Sequence, residues 1–283
     1  MGKAPARTRL PQGERMELKM KVGFIGAGNM AGAIIRGMAA NGFRGEDMLV
    51  YDTDGAKLTA LFEECGICIA ASGAEAAAGV DALVLAVKPQ VFPEVLPALS
   101  AALHRHMPLV ISIAAGKTLD AIASMAGPGL PIIRVMPNIN AKVSEAMSAF
   151  CGNELVTDQH RRMARRIFEA VGDVIELPED KFSIFSALAG CSPAFTLLYV
   201  DALAQAGVRY GIPKAQALKI AAQAVLGTVR LLQESGDHPR ELIDQVCSPG
   251  GTTIEGLCAL QRGGLEAAVM AAADAVMEKD QKL

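Results

Sequence analysis

The chain has 283 residues, of which 51% are apolar, 20% charged and only 4% aromatic, with no tryptophan and a formal net charge of −3. That length suits one large domain or two modest ones, each with a real core. The slight negative charge and the scarcity of aromatic rings exclude a basic, base-stacking nucleic-acid surface and give no electrostatic case for an anionic membrane.

Residues 1–19 differ from the rest. Lys3, Arg7, Arg9, Arg15 and Lys19 lie among Gly, Pro and Gln without the apolar centre of a secretory signal, so the stretch reads as a basic, disordered extension, with Met16 and Met20 as candidate starts. With no export signal, the six cysteines are expected as reduced thiols in the cytoplasm.

The first element is an apolar run, Val22-Gly23-Phe24-Ile25, that ends in Gly26-Ala27-Gly28. A helical pattern follows at once through Asn29, Met30 and Ala31 to about Ala40. This predicts a buried strand turning sharply into a helix. Gly26 permits the turn, Gly28 lets a pyrophosphate approach the backbone, and Ala31 stands where a third glycine is common. The helix start offers unpaired N–H groups to phosphate.

Met48–Tyr51 reads as a second strand, followed by a helix over 56–64 and a strand over 67–71. Asp52 ends the second strand, 24 residues after Gly28. A carboxylate at an interval of roughly 20 residues accepts the ribose hydroxyls of a dinucleotide. It would also repel a 2′-phosphate, and no Arg follows it directly, so the cofactor expected is NADH or NADPH with a lean toward NADH. Asp52 fits equally as a cap for the next helix, a task open to Asp54. Cys65-Gly66-Ile67-Cys68 has no second Cys pair or His at zinc spacing and reads as part of a buried strand; no metal site is expected. His104 and His106 read as surface residues near a helix end.

The pattern continues with a helix over 73–78, a strand over 82–87, a helix over 89–103, a strand over 109–113, a helix over 119–125 and a strand over 132–135. Such alternation predicts an α/β fold with a Rossmann-type, doubly wound parallel sheet and its ligand at the carboxyl ends of the strands. Val87, Lys88 and Pro89 fall at one such end. Ala114, at another, is small enough to let a nicotinamide ring lie against backbone. A snorkelling lysine and a packing constraint explain these two ends as well.

The second half reads as a basic-rich helix over 157–170, a short segment over 174–177, and then helices only, over 180–190, 193–210, 213–234, 239–246, 252–261 and 264–280. The expected division is therefore a dinucleotide-binding domain over 20–177 and an all-α domain over 178–283. The helix from Pro193 is apolar on nearly every face and must be buried, most simply against a second copy of the chain, so a homodimer is expected. Ser192, Pro193, Asp201 and Gln205 interrupt this stretch and argue against a membrane span.

A second glycine loop lies at Ser248-Pro249-Gly250-Gly251-Thr252-Thr253. Thr252 with Glu255 has the form of a capping box. Gly250 and Gly251 leave backbone N–H groups exposed while Ser248, Thr252 and Thr253 add hydroxyls, which suits a small carboxylate. An ordinary capped helix after a Gly-Gly turn fits the same residues.

From about Met20 onward, the chain resembles the pyrroline-5-carboxylate reductase family. The likeness rests on Ser248–Thr253 with Gly256-Leu257, on Phe24–Met30, on Val87-Lys88-Pro89-Gln90, on Ser112–Gly116, on Met136-Pro137-Asn138 and on Ala221–Gly227. The resemblance implies a Rossmann domain and a helical domain intertwined across a dimer, with larger rings of dimers in many members. It implies reduction of 1-pyrroline-5-carboxylate to proline, with Ser248, Gly250, Gly251, Thr252 and Thr253 on the substrate carboxylate and Thr253 near the ring nitrogen. It further implies Gly26, Ala27, Gly28, Asn29 and Met30 on the pyrophosphate, Val87, Lys88 and Pro89 beside the ribose and nicotinamide, and Ala114 and Asn138 close by.

Two segments depart from the family pattern. Asn138-Ile139-Asn140 stands where the family has Asn-Thr-Pro, and Ala189-Gly190-Cys191-Ser192-Pro193-Ala194-Phe195 stands for Ser-Gly-Ser-Gly-Pro-Ala-Tyr. Both bear on substrate specificity more than on reaction type. A protonated C=N accepts hydride readily, which explains why the motifs hold no acid–base dyad. Three other readings are a reductase for another cyclic imine acid, a β-hydroxyacid dehydrogenase and a non-catalytic dinucleotide sensor. The second needs a lysine on the helix after Ala189, where none occurs before Lys214.

Overall fold

The structure, a computed structural model, describes residues 20–280, so the basic extension over 1–19 lies outside the described residues. The chain runs β1 (Val22–Ile25), α1 (Asn29–Ala40), β2 (Met48–Tyr51), α2 (Gly55–Cys65), β3 (Cys68–Ile69), α3 (Gly73–Ala77), β4 (Ala82–Leu85), α4 (Phe92–His106) and β5 (Leu109–Ser112). It continues α5 (Leu119–Ala126), β6 (Ile132–Met136), β7 (Ala146–Gly152), α6 (Asp158–Glu169), β8 (Gly172–Glu176) and α7 (Phe182–Phe185). The helices α8 (Ser192–Arg209), α9 (Lys214–Ser235), α10 (Pro239–Val246), α11 (Thr252–Arg262) and α12 (Leu265–Asp280) complete it.

All eight strands form one sheet in the order β3-β2-β1-β4-β5-β6-β7-β8. Every neighbouring pair is parallel except β6 with β7. The central strands are apolar without alternation, and β1, β4 and β5 are buried at every position because helices cover both faces. Phe24, Ile34, Ile35, Met38 and Phe168 fill one face, while Leu83, Leu85, Phe92 and Leu96 fill the other. Strand order reverses between β1 and β4, and an open α/β sheet binds ligands in the crevice at such a point.

Three local expectations change. Ala146–Gly152, given no secondary structure by its pattern, is a full strand. Its small residues carry little β-propensity, and it forms because it pairs with β6 on one side and β8 on the other. The stretch 67–71 is not a wholly buried strand: β3 is two residues long at the sheet edge, with Cys68 and Ile69 exposed and only Ile67 and Ala70 buried beside them. Helix α4 starts later and runs further than expected, because Pro89–Val91 form a 3-10 turn first.

Residues 20–190 with 276–280 form one compact unit, and Cys191–Ala275 form another. Residues 178–190 are tied into the first. Buried Arg134 on β6 pairs with Glu179 at 2.9 Å and lies 4.6 Å above the Phe182 ring. The same Glu179 oxygen accepts the Leu119 N–H at 2.8 Å. Phe182, Phe185 and Ala189 then pack with Ala149 and Cys151.

The helical unit is thin on its own. Its buried apolar residues are Val200, Ala204, Ala217 and Ala221, along the seam between α8 and α9. Gly207 keeps that seam close, since a Cβ there would lie 2.9 Å from the Ala217 side chain. Meanwhile Leu197 and Leu198 are 69% and 72% exposed, and Val229, Leu231 and Val269 are exposed as well. Four buried side chains cannot offset the conformational entropy of a unit this size, so this surface needs a cover. Glu179–Arg209 meets the length and mean hydropathy of a membrane-crossing helix, although Ser192, Pro193, Asp201 and Gln205 interrupt it with polar groups and a proline. Light scattering at micromolar concentration in detergent-free buffer is expected to return a mass of at least two chains; a monomer of 29.6 kDa would contradict this.

Candidate active site

The turn between β1 and α1 lies between the ends of β2 and β4. Gly26 has φ +104°, and a Cβ there would fall 2.8 Å from the Ala86 carbonyl oxygen, so only glycine fits. Its N–H donates to the Tyr51 carbonyl at 2.7 Å. The next N–H, of Ala27, donates to Asp52 Oδ2 at 2.6 Å.

Gly28 is a different case. It caps α1 at φ −68° and ψ −176°, a conformation open to any residue, and a Cβ there would meet no described atom within 4 Å. Nothing in the protein requires a glycine at this position. Gly28 leaves open space beside a helix start that no side chain caps, and unpaired N–H groups at such a start suit an anion. The contrast with α2, α3, α5 and α6 is direct: Asp54, Ser72, Thr118 and Thr157 cap these with side-chain oxygens. Asp54 thus caps α2, and Asp52 does not.

The other expected dinucleotide residues stand at the same edge of the sheet. Asn29 is exposed and Met30 half-buried at the start of α1. Val87, Lys88 and Pro89 follow β4, where Lys88 is exposed and Val87 packs against the core. Ala114 is buried just past β5, and its N–H reaches Ser112 Oγ at 3.3 Å. Asn138 is buried just past β6 and donates from Nδ2 to the Ala189 carbonyl at 2.9 Å. That bond joins the two segments that depart from the family pattern. Ala189 lies in a turn of π-helix, Ser186–Cys191, a form common at functional sites. The Asn138 Oδ1 is buried with no partner among the described residues.

The second glycine loop lies in the helical unit, and the capping box expected of it does not form. Gly251 is the cap of α11, no side chain caps it, and Thr252 is already the first helical residue. The register is one residue earlier than the Thr252–Glu255 spacing implied, which leaves the N–H groups of the first turn without a side-chain acceptor. Gly250 has φ +69°, which favours glycine, and a Cβ on Gly251 would fall 2.3 Å from Ser248 Oγ, so a larger residue there would have to displace that hydroxyl. The Gly251 N–H closes the turn on the Ser248 carbonyl at 3.0 Å, and Ser248, Thr252 and Thr253 are exposed.

No group of three or more potential metal ligands occurs among the described residues. Burial pushes the Cys151 thiol up to about 12, with Glu179 adding to the effect and Arg134 opposing it, so this sulfur is no nucleophile near neutral pH. Both ring nitrogens of His104 lie against carbonyl oxygens, of Ser100 and Pro128, a structural arrangement.

Two family models match the chain. The one described as pyrroline-5-carboxylate reductase dimerisation matches residues 179–283, and the one described as NADP oxidoreductase coenzyme F420-dependent matches 21–116. Pyrroline-5-carboxylate reductase from Escherichia coli is 41% identical over 268 residues, covering 94% of this chain and 99% of that relative. The chain belongs to the pyrroline-5-carboxylate reductase family. Among solved structures, the pyrroline-5-carboxylate reductase of Coxiella burnetii matches with a TM-score of 0.90 at 33% identity, covering 93% of this chain and 98% of that one. The pyrroline carboxylate reductase of Plasmodium falciparum, solved with NADP bound, matches with a TM-score of 0.81 at 30% identity, covering 93% and 97%.

For a pyrroline-5-carboxylate reductase, the two glycine-started helices make different demands on substitution. Gly28→Ala is expected to cost no more than about 1 kcal/mol of stability, the ordinary loss when alanine replaces glycine at a helix N-cap. It should weaken NADH binding by about tenfold or more, because the added methyl takes pyrophosphate space. Gly250→Ala is expected to destabilise the fold by about 1–2 kcal/mol through its positive φ. Calorimetry and fluorescence titration check both; equal stability loss in the two variants would contradict the distinction.

Proposed function

We propose that this chain reduces 1-pyrroline-5-carboxylate to L-proline with hydride from a nicotinamide dinucleotide. The observation that carries the reading is the uncapped, hydroxyl-bearing start of α11 in a chain 41% identical to a reductase of that name over nearly its whole length. Residues 20–177 are the dinucleotide-binding part and 178–283 the substrate-binding and dimerisation part.

Gly26, Ala27, Gly28, Asn29 and Met30 take the pyrophosphate, and Asp52 takes the adenosine ribose. Val87, Lys88 and Pro89 flank the second ribose and the nicotinamide, with Ala114 and Asn138 beside the ring. A carboxylate at Asp52 stands where a 2′-phosphate would be repelled, which favours NADH over NADPH. The protein is a cytoplasmic homodimer, open to assembly into larger rings. A second copy, rather than lipid, covers the apolar face of α8, in keeping with the dimerisation family matched there.

The bound dinucleotide supplies hydride; the rest falls to the chain. Ser248, Gly250, Gly251, Thr252 and Thr253 anchor the substrate carboxylate with hydroxyls and backbone N–H groups at the positive end of α11. Anchoring one end of a small rigid ring leaves few orientations to its carbon–nitrogen double bond, which is most of what the reaction requires. The Thr253 hydroxyl accepts a hydrogen bond from the protonated ring nitrogen and so keeps the proton there while the carbon accepts hydride. The nitrogen leaves as the amine of proline. Helix α8, where a hydroxyacid dehydrogenase would need a lysine, carries none, and the next lysine, Lys214 at the start of α9, pairs with Asp201.

Thr253→Ala is expected to lower kcat/KM by about ten- to a thousand-fold, followed by the absorbance of the reduced cofactor. Unchanged kinetics would remove Thr253 from the mechanism. Wild type is expected to oxidise NADH faster with pyrroline-5-carboxylate than with its six-membered homologue. The reverse order would reassign the substrate, and no oxidation of NADH or of NADPH with either substrate would favour a dinucleotide sensor.

A further inference from the structure

We propose that Asp52 is a positioning residue for the phosphate-binding turn, in addition to the ribose role that the dinucleotide reading gives it, and this inference rests on that reading. Both carboxylate oxygens already hold backbone. Oδ2 accepts the Ala27 N–H at 2.6 Å, 25 positions earlier in the chain, and Oδ1 accepts the Asp54 N–H at 2.8 Å. The first bond is the unusual one. Ala27 is 6% exposed, so its N–H has little recourse to water if the carboxylate is removed.

The turn needs such a tether. Gly26 at φ +104° has more backbone freedom than any other residue type would have there, and the peptide that joins it to Ala27 is the one most able to rotate. The Tyr51 carbonyl fixes one side of Gly26 at 2.7 Å, and the Asp52 carboxylate fixes the N–H on the other side. An ionised acceptor makes this bond about twice as strong as a neutral one. With both N–H groups drawn toward the end of β2, the free donors begin at the start of α1, where Gly28 leaves room for phosphate.

The ribose role survives this. A carboxylate has about four acceptor positions, and two are used. Asp52 is half-buried, so the remaining positions are open to ribose hydroxyls. One side chain therefore links the reading of the ribose to the shape of the phosphate turn. Exchanging Asp52 to admit NADPH loosens the turn and weakens the hold on either dinucleotide.

The test is a cycle of ligand against variant. Wild type, Asp52→Ala and Asp52→Asn are titrated with NADH and with an analogue whose adenosine ribose lacks the 2′- and 3′-hydroxyls. Asp52→Ala is expected to weaken the analogue about tenfold, although that ligand has no hydroxyl for the carboxylate to meet. Asp52→Asn, which keeps one acceptor oxygen for Ala27, is expected to recover most of the loss. Hydrogen exchange without ligand adds an independent reading: the Ala27 amide should exchange at least about tenfold faster in Asp52→Ala, with the amides of β1 unchanged. An analogue bound equally by wild type and Asp52→Ala, or equal protection at Ala27, would overturn the positioning role while leaving the ribose role intact. Failure of wild type to bind either NADH or NADPH would instead overturn the dinucleotide reading, and this role with it.

Discussion

A helix leaves the N–H groups of its first turn without partners inside the helix, and those donors must be met by a side chain, by water or by a ligand. In this chain Asp54, Ser72, Thr118, Thr157 and His238 meet them at five helix starts. At α1 and α11 the capping residue is a glycine and no side chain intervenes. The starts of α4, α8 and α9 also lack a side-chain cap, with Val91, Cys191 and Pro213 there; what the glycines at α1 and α11 add is room, which the proposed function assigns to anions from outside the chain. A dinucleotide needs such an end for its pyrophosphate, and an imino acid needs one for its carboxylate. The reaction asks for little else from side chains, since a protonated imine is already an electrophile.

The sheet exists to hold the first of these ends in place. Parallel strands buried on both faces align their carboxyl ends along one edge, and the reversal of order between β1 and β4 opens a crevice there. Tyr51, Asp52 and Ala86, from the strands on either side of β1, contact the turn that follows it. The turn is thus defined by its neighbours in the sheet rather than by local preference. The same logic operates at the end of β6, where Asn138 reaches the π-helical turn through Ala189. Ile139, Asn140 and the 189–195 segment, the places where the chain departs from its family, are linked through this one bond.

Much of this was legible in the sequence because it is written in local signals. Apolar runs marked β1, β4 and β5, and glycines marked both loops. What escaped was set by tertiary contact. Strand β7 is composed of residues with no marked preference and is created by partners on both sides. The Thr252–Glu255 spacing looked like a capping box, yet the helix begins one residue earlier because Gly250 and Gly251 turn the chain before it. Asp52 could be read as a ribose acceptor or as a helix cap from its position alone. Its bond to Ala27 could be seen only once β1 and β2 lay side by side.

The helical unit completes the account in a different currency. Its few buried residues and its exposed leucines make it a surface in need of a second copy, in agreement with the dimerisation family it matches. In the proposed function, the glycine-capped starts of α1 and α11 each take a different anion. Hydrogen–deuterium exchange by mass spectrometry tests it most directly, with NADH and L-proline added separately and together. NADH is expected to protect peptides spanning 26–32, and L-proline, added to the NADH complex, to newly protect peptides spanning 248–257. Protection of neither segment, or of 248–257 by a ligand without a carboxylate as strongly as by proline, would contradict it.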